Sequence, residues 1–123
     1  MEIKNKGYHK LIVWQKAREL VLLIYQYTEN FPKSEEFGLK SQLRRATVSV
    51  MLTIVEGHRR KSKKDFLHFL NIAMASLTEV EAAWEICFDL KFINESIFKI
   101  VEDKRTELAI ILEAFIKGLS KHN

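Results

Sequence analysis

The chain has 123 residues, 47% of them apolar and 29% charged, with one proline, four glycines and a net charge of +4. That length suits one domain whose core needs no staple, and the apolar content excludes disorder. So little turn chemistry excludes an all-β sandwich or barrel, and the single cysteine, Cys87, excludes an internal disulfide or a multi-cysteine zinc site.

The spacing of apolar residues predicts four helices, over about 11–30, 38–59, 62–92 and 95–120, in one domain spanning residues 1–123. In the first, Val13, Ala17, Leu20, Ile24, Tyr27 and Phe31 recur at helical steps, and Pro32 ends the pattern because it lacks an amide hydrogen. In the second, Leu39, Leu43, Ala46, Val50, Ile54 and Gly57 share a face, and the stop lies at Gly57 and the basic run that follows. The third starts at Ser62, with Asp65 three residues on as an acidic variant of the capping box. Its stripe is Phe66, Phe69, Leu70, Ala73, Leu77, Val80, Trp84 and Phe88, and Cys87 reads as a small core residue. Asn94 or Ser96 caps the fourth, which carries Ile97, Val101, Leu108, Ile111, Leu112, Phe115 and Leu119. Four long helices with short connectors imply an all-α fold, an antiparallel up-down four-helix bundle. Trp14 and Trp84 fall on core stripes and are expected to pack rather than to stack on bases.

The second helix has a second apolar stripe, Val48, Met51, Leu52 and Val55, roughly opposite the first. A stripe facing water needs a cover, so these residues are the candidate interface of a homo-oligomer. Between the stripes runs a polar line, Gln42, Arg45, Ser49, Glu56 and Arg60. Opposite the stripe of the third helix stand Ile72, Ala75, Ser76, Ala82, Ala83 and Ile86, with Glu79 alone among them. A carboxylate on such a face needs a partner, and Arg44 or Arg45 is the expected one. Arg44, Arg45, Glu56, Arg60 and Glu79 therefore form a candidate buried polar network. Glu81, Glu85 and Asp89 read as a solvated acidic ridge.

Charge divides unevenly along the chain. Residues 1–64 hold 14 Lys and Arg against 6 Asp and Glu, whereas residues 65–123 hold 6 against 10. A positive half suggests a polyanionic partner. The run His58-Arg59-Arg60-Lys61-Ser62-Lys63-Lys64 places five cations in seven residues, an electrostatic footprint for phosphates without a sequence code. The candidate nucleic-acid-contacting residues are Arg44, Arg45, Arg59, Arg60, Lys61, Lys63 and Lys64.

Catalytic patterns are missing. The glycines are scattered, so no phosphate loop is formed. Asp65 and His68 make a lone pair where a di-iron bundle needs two Glu-x-x-His motifs and two further carboxylates. Ser49 and Ser76 have no histidine placed to activate them. The expectation is a protein that is not an enzyme and uses no metal or cofactor. Met1–Lys10 has no signal-peptide character, and Leu20–Ile24 is too short to span a bilayer, so a cytoplasmic protein with no membrane partner is expected.

Several of these residues together resemble a known family. They are Val13-Trp14-Gln15-Lys16-Ala17, Ile24-Tyr25, Phe31-Pro32, Gly38-Leu39, Gln42-Leu43-Arg44-Arg45-Ala46, Glu56-Gly57, Arg60, Asp65-Phe66, Phe69-Leu70, Ala73, Ser76-Leu77 and Glu79. The pattern is similar to the four-helix bundle protein family, also called the 23S rRNA intervening-sequence protein family, from about Tyr8 to Leu119. The resemblance implies an up-down bundle that assembles into a ring-like homopentamer. Some members are encoded within inserts in ribosomal RNA genes. A similar protein, the accessory factor of diversity-generating retroelements, binds a reverse transcriptase and nucleic acid. This chain departs from the pattern at Met51-Leu52-Thr53-Ile54-Val55, where Pro, Ala, Asn, Ile and Ala are usual, and at Arg59 and Ala75, where glycines are usual. Without the proline, a straighter second helix is expected. The functional expectation is a homo-oligomeric bundle that binds nucleic acid, RNA foremost, through a basic surface. The alternative is a scaffold for a protein partner with no nucleic-acid role.

Overall fold

The computed structural model describes residues 7–121. A short 3-10 turn at Gly7–Lys10 leads into α1 (Ile12–Thr28), and a second at Lys33–Glu35 leads into α2 (Leu39–His58). Then come α3 (Lys63–Asp89) and α4 (Glu95–Lys121), and no strand is present among the described residues. The helix ends follow local chemistry. Glu35 Oε1 accepts the Leu39 amide at 3.0 Å, placing a carboxylate on the positive end of α2. Ser62 Oγ accepts the Asp65 amide at 3.1 Å at the start of α3. Asn94, rather than Ser96, caps α4: its Oδ1 accepts the Ile97 amide at 2.8 Å.

The third helix stops earlier than its apolar pattern predicts. Lys91 sits at φ 65°, in the left-handed region. The Phe92 amide bonds the Cys87 carbonyl and the Lys91 amide bonds that of Phe88. This is a Schellman stop with a lysine where glycine is usual, a position that sequence periodicity does not mark.

Contacts run between α1 and α2, α2 and α3, α3 and α4, and close between α1 and α4. Side-chain contacts mark where three of these pairs meet. Gln42 meets Glu79 and Ser49 meets Ser76 across α2 and α3. Lys16 meets Glu107 and Lys104 meets Glu19 across α1 and α4. Glu81 meets Arg105, and Phe66 meets Phe115, across α3 and α4. The chain start, the α2–α3 turn and the last turns of α4 therefore share one end of the molecule. The α1–α2 connector and the α3–α4 turn share the other.

One core fills the space between the helices, with Leu20, Ile24, Leu43, Val50, Ile54, Leu70, Leu77, Trp84, Leu108 and Leu112 fully buried. Cys87 is buried among them, and the Trp84 indole N–H donates to the Phe98 carbonyl at 3.1 Å. Three residues differ from their expected places. Ala83 is only 5% exposed and belongs to the core, next in register to the fully buried Val80 and Cys87, whereas Ala75 and Ala82 of the same predicted face are exposed. Phe88 is 37% exposed, at the rim of the α3–α4 turn. Met51 packs against the core rather than wholly outside it.

Candidate nucleic-acid interface

The α2–α3 turn is tight. Arg59 closes α2 through its amide on the Val55 carbonyl, the Arg60 amide reaches the Gly57 carbonyl, and α3 begins at Lys63. Four residues thus separate two long helices, and three of them are cations. Arg59, Lys61 and Lys64 are exposed. With Lys63 they form no ion pair among the described residues. Lys63 is half-buried, and its Nζ is covered without a hydrogen-bond acceptor among those residues. Arg60 differs, since it bonds Glu56 at 3.1 Å and lies over the Phe69 ring at 4.6 Å.

The fold adds to this end what sequence proximity does not. Gly7 rests against the His58 imidazole, where a Cβ would come within 2.9 Å of Cε1. That contact brings Tyr8, His9 and Lys10 beside the turn. The Phe66–Phe115 ring contact brings the last turns of α4, with Lys117 and Lys121, to the same end. The opposite end is of mixed charge, with Glu29, Glu35, Glu36, Asp89 and Glu95 beside Lys33, Lys40, Arg44 and Lys91. The basic end therefore gathers cations from both halves of the chain.

Arg44 and Arg45 stand apart from the basic turn. Arg45 lies 14 residues before Arg59 on a continuous helix and its flanking turn, which is ~21 Å along the axis. Arg44 is occupied by α1: Nε donates to Thr28 Oγ1 at 2.9 Å, Nη2 bonds the Tyr25 carbonyl and Glu29 at 3.1 Å, and the guanidinium lies over the Tyr25 ring. It is a brace between α1 and α2.

The expected buried polar network is not formed within the chain. Arg44 pairs with Glu29, Glu56 pairs with Arg60 on an exposed face, and Glu79 is exposed and accepts from Gln42 Nε2 at 3.4 Å. Consecutive residues on a helix diverge by ~100°, so Arg44 faces α1 while Arg45 turns outward. Arg45 and Glu79 do share an open groove of about 470 Å³ on the outer face of α2 and α3, with Phe37, Gln42, Ser49 and Ser76. Ser49 and Ser76 join across its floor, their hydroxyls 3.1 Å apart. Beside it, Leu52 is 54% exposed, and Val48 and Val55 are half-buried.

A further charge cluster, built around the buried Arg105, joins α3 to α4 and is not marked by the periodicity of apolar residues. Arg105, only 8% exposed, bonds Glu102 at 2.6 Å and Glu81 at 3.0 Å. Hydrogen bonding to Glu102 raises its pKa further, against the opposing effect of burial. Glu81 therefore belongs to an α3–α4 brace rather than to a solvated ridge. The signal in the sequence was a lone arginine on the Val101–Leu108–Leu112 stripe. Asp65 and His68 are exposed, and no three potential metal ligands converge among the described residues. Among the described residues no helix is long and apolar enough to cross a membrane.

The sequence profile described as 23S rRNA-intervening sequence protein matches residues 9–114. A solved structure is also similar: a protein of unknown function from the S23 ribosomal protein family of Bacteroides thetaiotaomicron VPI-5482, at 27% identity. The match covers 86% of this chain and 99% of that one, with a TM-score of 0.78. No curated protein matches the chain.

Proposed function

The chain belongs to the 23S rRNA-intervening sequence protein family, and from that premise we propose that it is a non-enzymatic, cytoplasmic nucleic-acid-binding protein. In this reading an antiparallel up-down bundle assembles as a homo-oligomer, a pentamer by family resemblance, and holds RNA by its phosphates. The observation that carries the proposal is the basic end: Arg59, Lys61 and Lys64, exposed and free of carboxylate partners among the described residues, stand together at one turn, with Lys63 half-buried beside them. Neutralising phosphates there releases counterions and supplies affinity without reading bases. Repetition of the turn around an oligomer would add effective concentration.

The test is fluorescence anisotropy of a labelled single-stranded RNA over a range of salt. Affinity should fall steeply with salt, and replacing the exposed Arg59, Lys61 and Lys64 by glutamine should lower the slope by up to about 2 per occupied subunit; Lys63 is left in place because its Nζ is covered. Arg60 is left in place because its bond to Glu56 would confuse binding with stability. An unchanged slope in a folded variant overturns the proposal and favours the protein scaffold. That second reading draws on Phe37, which is 95% exposed at the mouth of the α2–α3 groove.

A further inference from the structure

Beside the basic turn lies a hollow of about 410 Å³ lined by Gly7, Tyr8, His58 and Arg59. Its walls differ from the lysines around it. Tyr8 is half-buried, its ring stacked on His9 at 4.4 Å and braced edge-on by Trp14 at 5.2 Å. The Arg59 guanidinium stands 5.9 Å from the Tyr8 centroid, at the outer limit of a cation–π contact, about 6 Å. It has no carboxylate partner among the described residues. His58 is held between Gly7 and the edge of Phe66, with ring centroids 5.9 Å apart. A braced aromatic ring, an uncommitted guanidinium plane and an imidazole thus meet at one hollow, next to Lys61, Lys63 and Lys64.

We propose that this hollow is a nucleobase site, and that the ligand of the basic end is a single strand whose unstacked base enters between Tyr8 and Arg59, on the ring face that His9 does not cover, with the exposed Arg59 side chain moving outward to admit it. Aromatic and guanidinium planes hold bases of any identity, and a basic surface beside them tracks the backbone. A duplex keeps its bases stacked and paired and offers this site only phosphates. The phosphate reading above did not require any distinction between strands, so this inference rests on that reading and adds ligand class to it. Trp14 packs against Tyr8 from the protein side, which makes it a support of the platform rather than a contact.

The experiment compares three labelled RNAs of equal length over the same range of salt concentrations: a single strand, the same strand with abasic positions, and a perfect duplex. The unmodified protein should bind the complete single strand more tightly than the abasic one. Tyr8→Ala should weaken single-strand binding about 10- to 100-fold, the usual loss per stacked base. It should leave duplex affinity and the salt slope unchanged, because no charge is removed. Tyr8→Trp should restore binding, and Arg59→Lys should lose single-strand affinity while keeping the slope, since lysine retains charge without the plane. Quenching of Trp14 fluorescence by the complete strand, but not by the abasic one, is a second readout. If the unmodified protein binds none of the RNAs, both this inference and the phosphate reading fall. If it binds with a steep salt slope, but Tyr8→Ala changes nothing or weakens all three RNAs equally, only the base site is overturned.

Discussion

A Cβ placed on Gly57 would stand 2.7 Å from the Cβ of Phe69. Gly57 is buried in the last turn of α2, and the missing side chain lets that turn close on α3 just where the basic cluster begins. Phe69 cannot yield easily, because its Cβ is fixed to the helix backbone. Alanine favours a helix over glycine by about 1 kcal/mol, but overpacking of this kind costs about 1–3 kcal/mol. Gly57→Ala should therefore lower stability on balance, by about 1 kcal/mol, in urea unfolding. A more stable variant would mean that the two helices separate at little cost.

The Schellman stop of α3 makes the opposite prediction. Lys91 holds a left-handed conformation that disfavours any Cβ. Lys91→Gly should raise stability by about 0.5–1 kcal/mol, whereas Lys91→Ala should leave it nearly unchanged. Thermal unfolding of the three proteins at one pH distinguishes the outcomes.

Arg105 should matter more than any carboxylate around it. Its removal strips Glu102 and Glu81 of their shared donor and opens packing between α3 and α4. Arg105→Ala should cost about 2–3 kcal/mol. Glu81 is 40% exposed at its side chain, so Glu81→Gln should cost less than about 1 kcal/mol. Glu79→Ala, losing one 3.4 Å hydrogen bond on an exposed face, should cost no more than Glu81→Gln in chemical denaturation. A large loss at Glu79 would place it in an interface between copies.

Assembly is tested on the outer face of α2. Met51 packs on the core, so changing it would confuse folding with association. Leu52 and Val55 are the better pair, the first exposed and the second half-buried. The unmodified protein should be an oligomer at micromolar concentration by light scattering. Leu52→Glu with Val55→Glu should make it smaller while circular dichroism stays helical, because charges buried at an interface without partners are costly. A monomeric parent would remove the homo-oligomer from the proposal.

Burial pushes the Cys87 thiol up from 9.0 to about 12. The folded protein keeps its proton where the unfolded chain loses it. The resulting stability is intact below pH 9 and is lost as pH rises towards 12, by about 1.4 kcal/mol per pH unit across that window. Urea unfolding at pH 8 and pH 10.5 should show a steeper loss for the parent than for Cys87→Ala. At pH 8 the thiol should react with a disulfide reagent only after denaturant is added.

The sequence alone determined the helices and most of the core. Pro32, the Ser62–Asp65 cap and Asn94 act on backbone groups within a few residues, and the 3.6-residue period that selects Leu20, Leu43, Leu77 and Leu108 is a property of one helix at a time. The basic run at 58–64 was legible for the same reason, since five of its charges are neighbours in the chain. Only the tertiary structure decided which charges meet. Arg44 bonds Glu29 and not Glu79, and Arg105 reaches Glu81, because a long side chain finds its partner on whichever helix packs beside it. The same packing carries Gly7 and Tyr8 to His58 and Arg59, some fifty residues away in sequence. Local backbone geometry sets where a helix runs and which face is apolar. The meeting of Tyr8 with Arg59 depends on four helix axes packing around one core, a non-local condition that no single segment's period encodes.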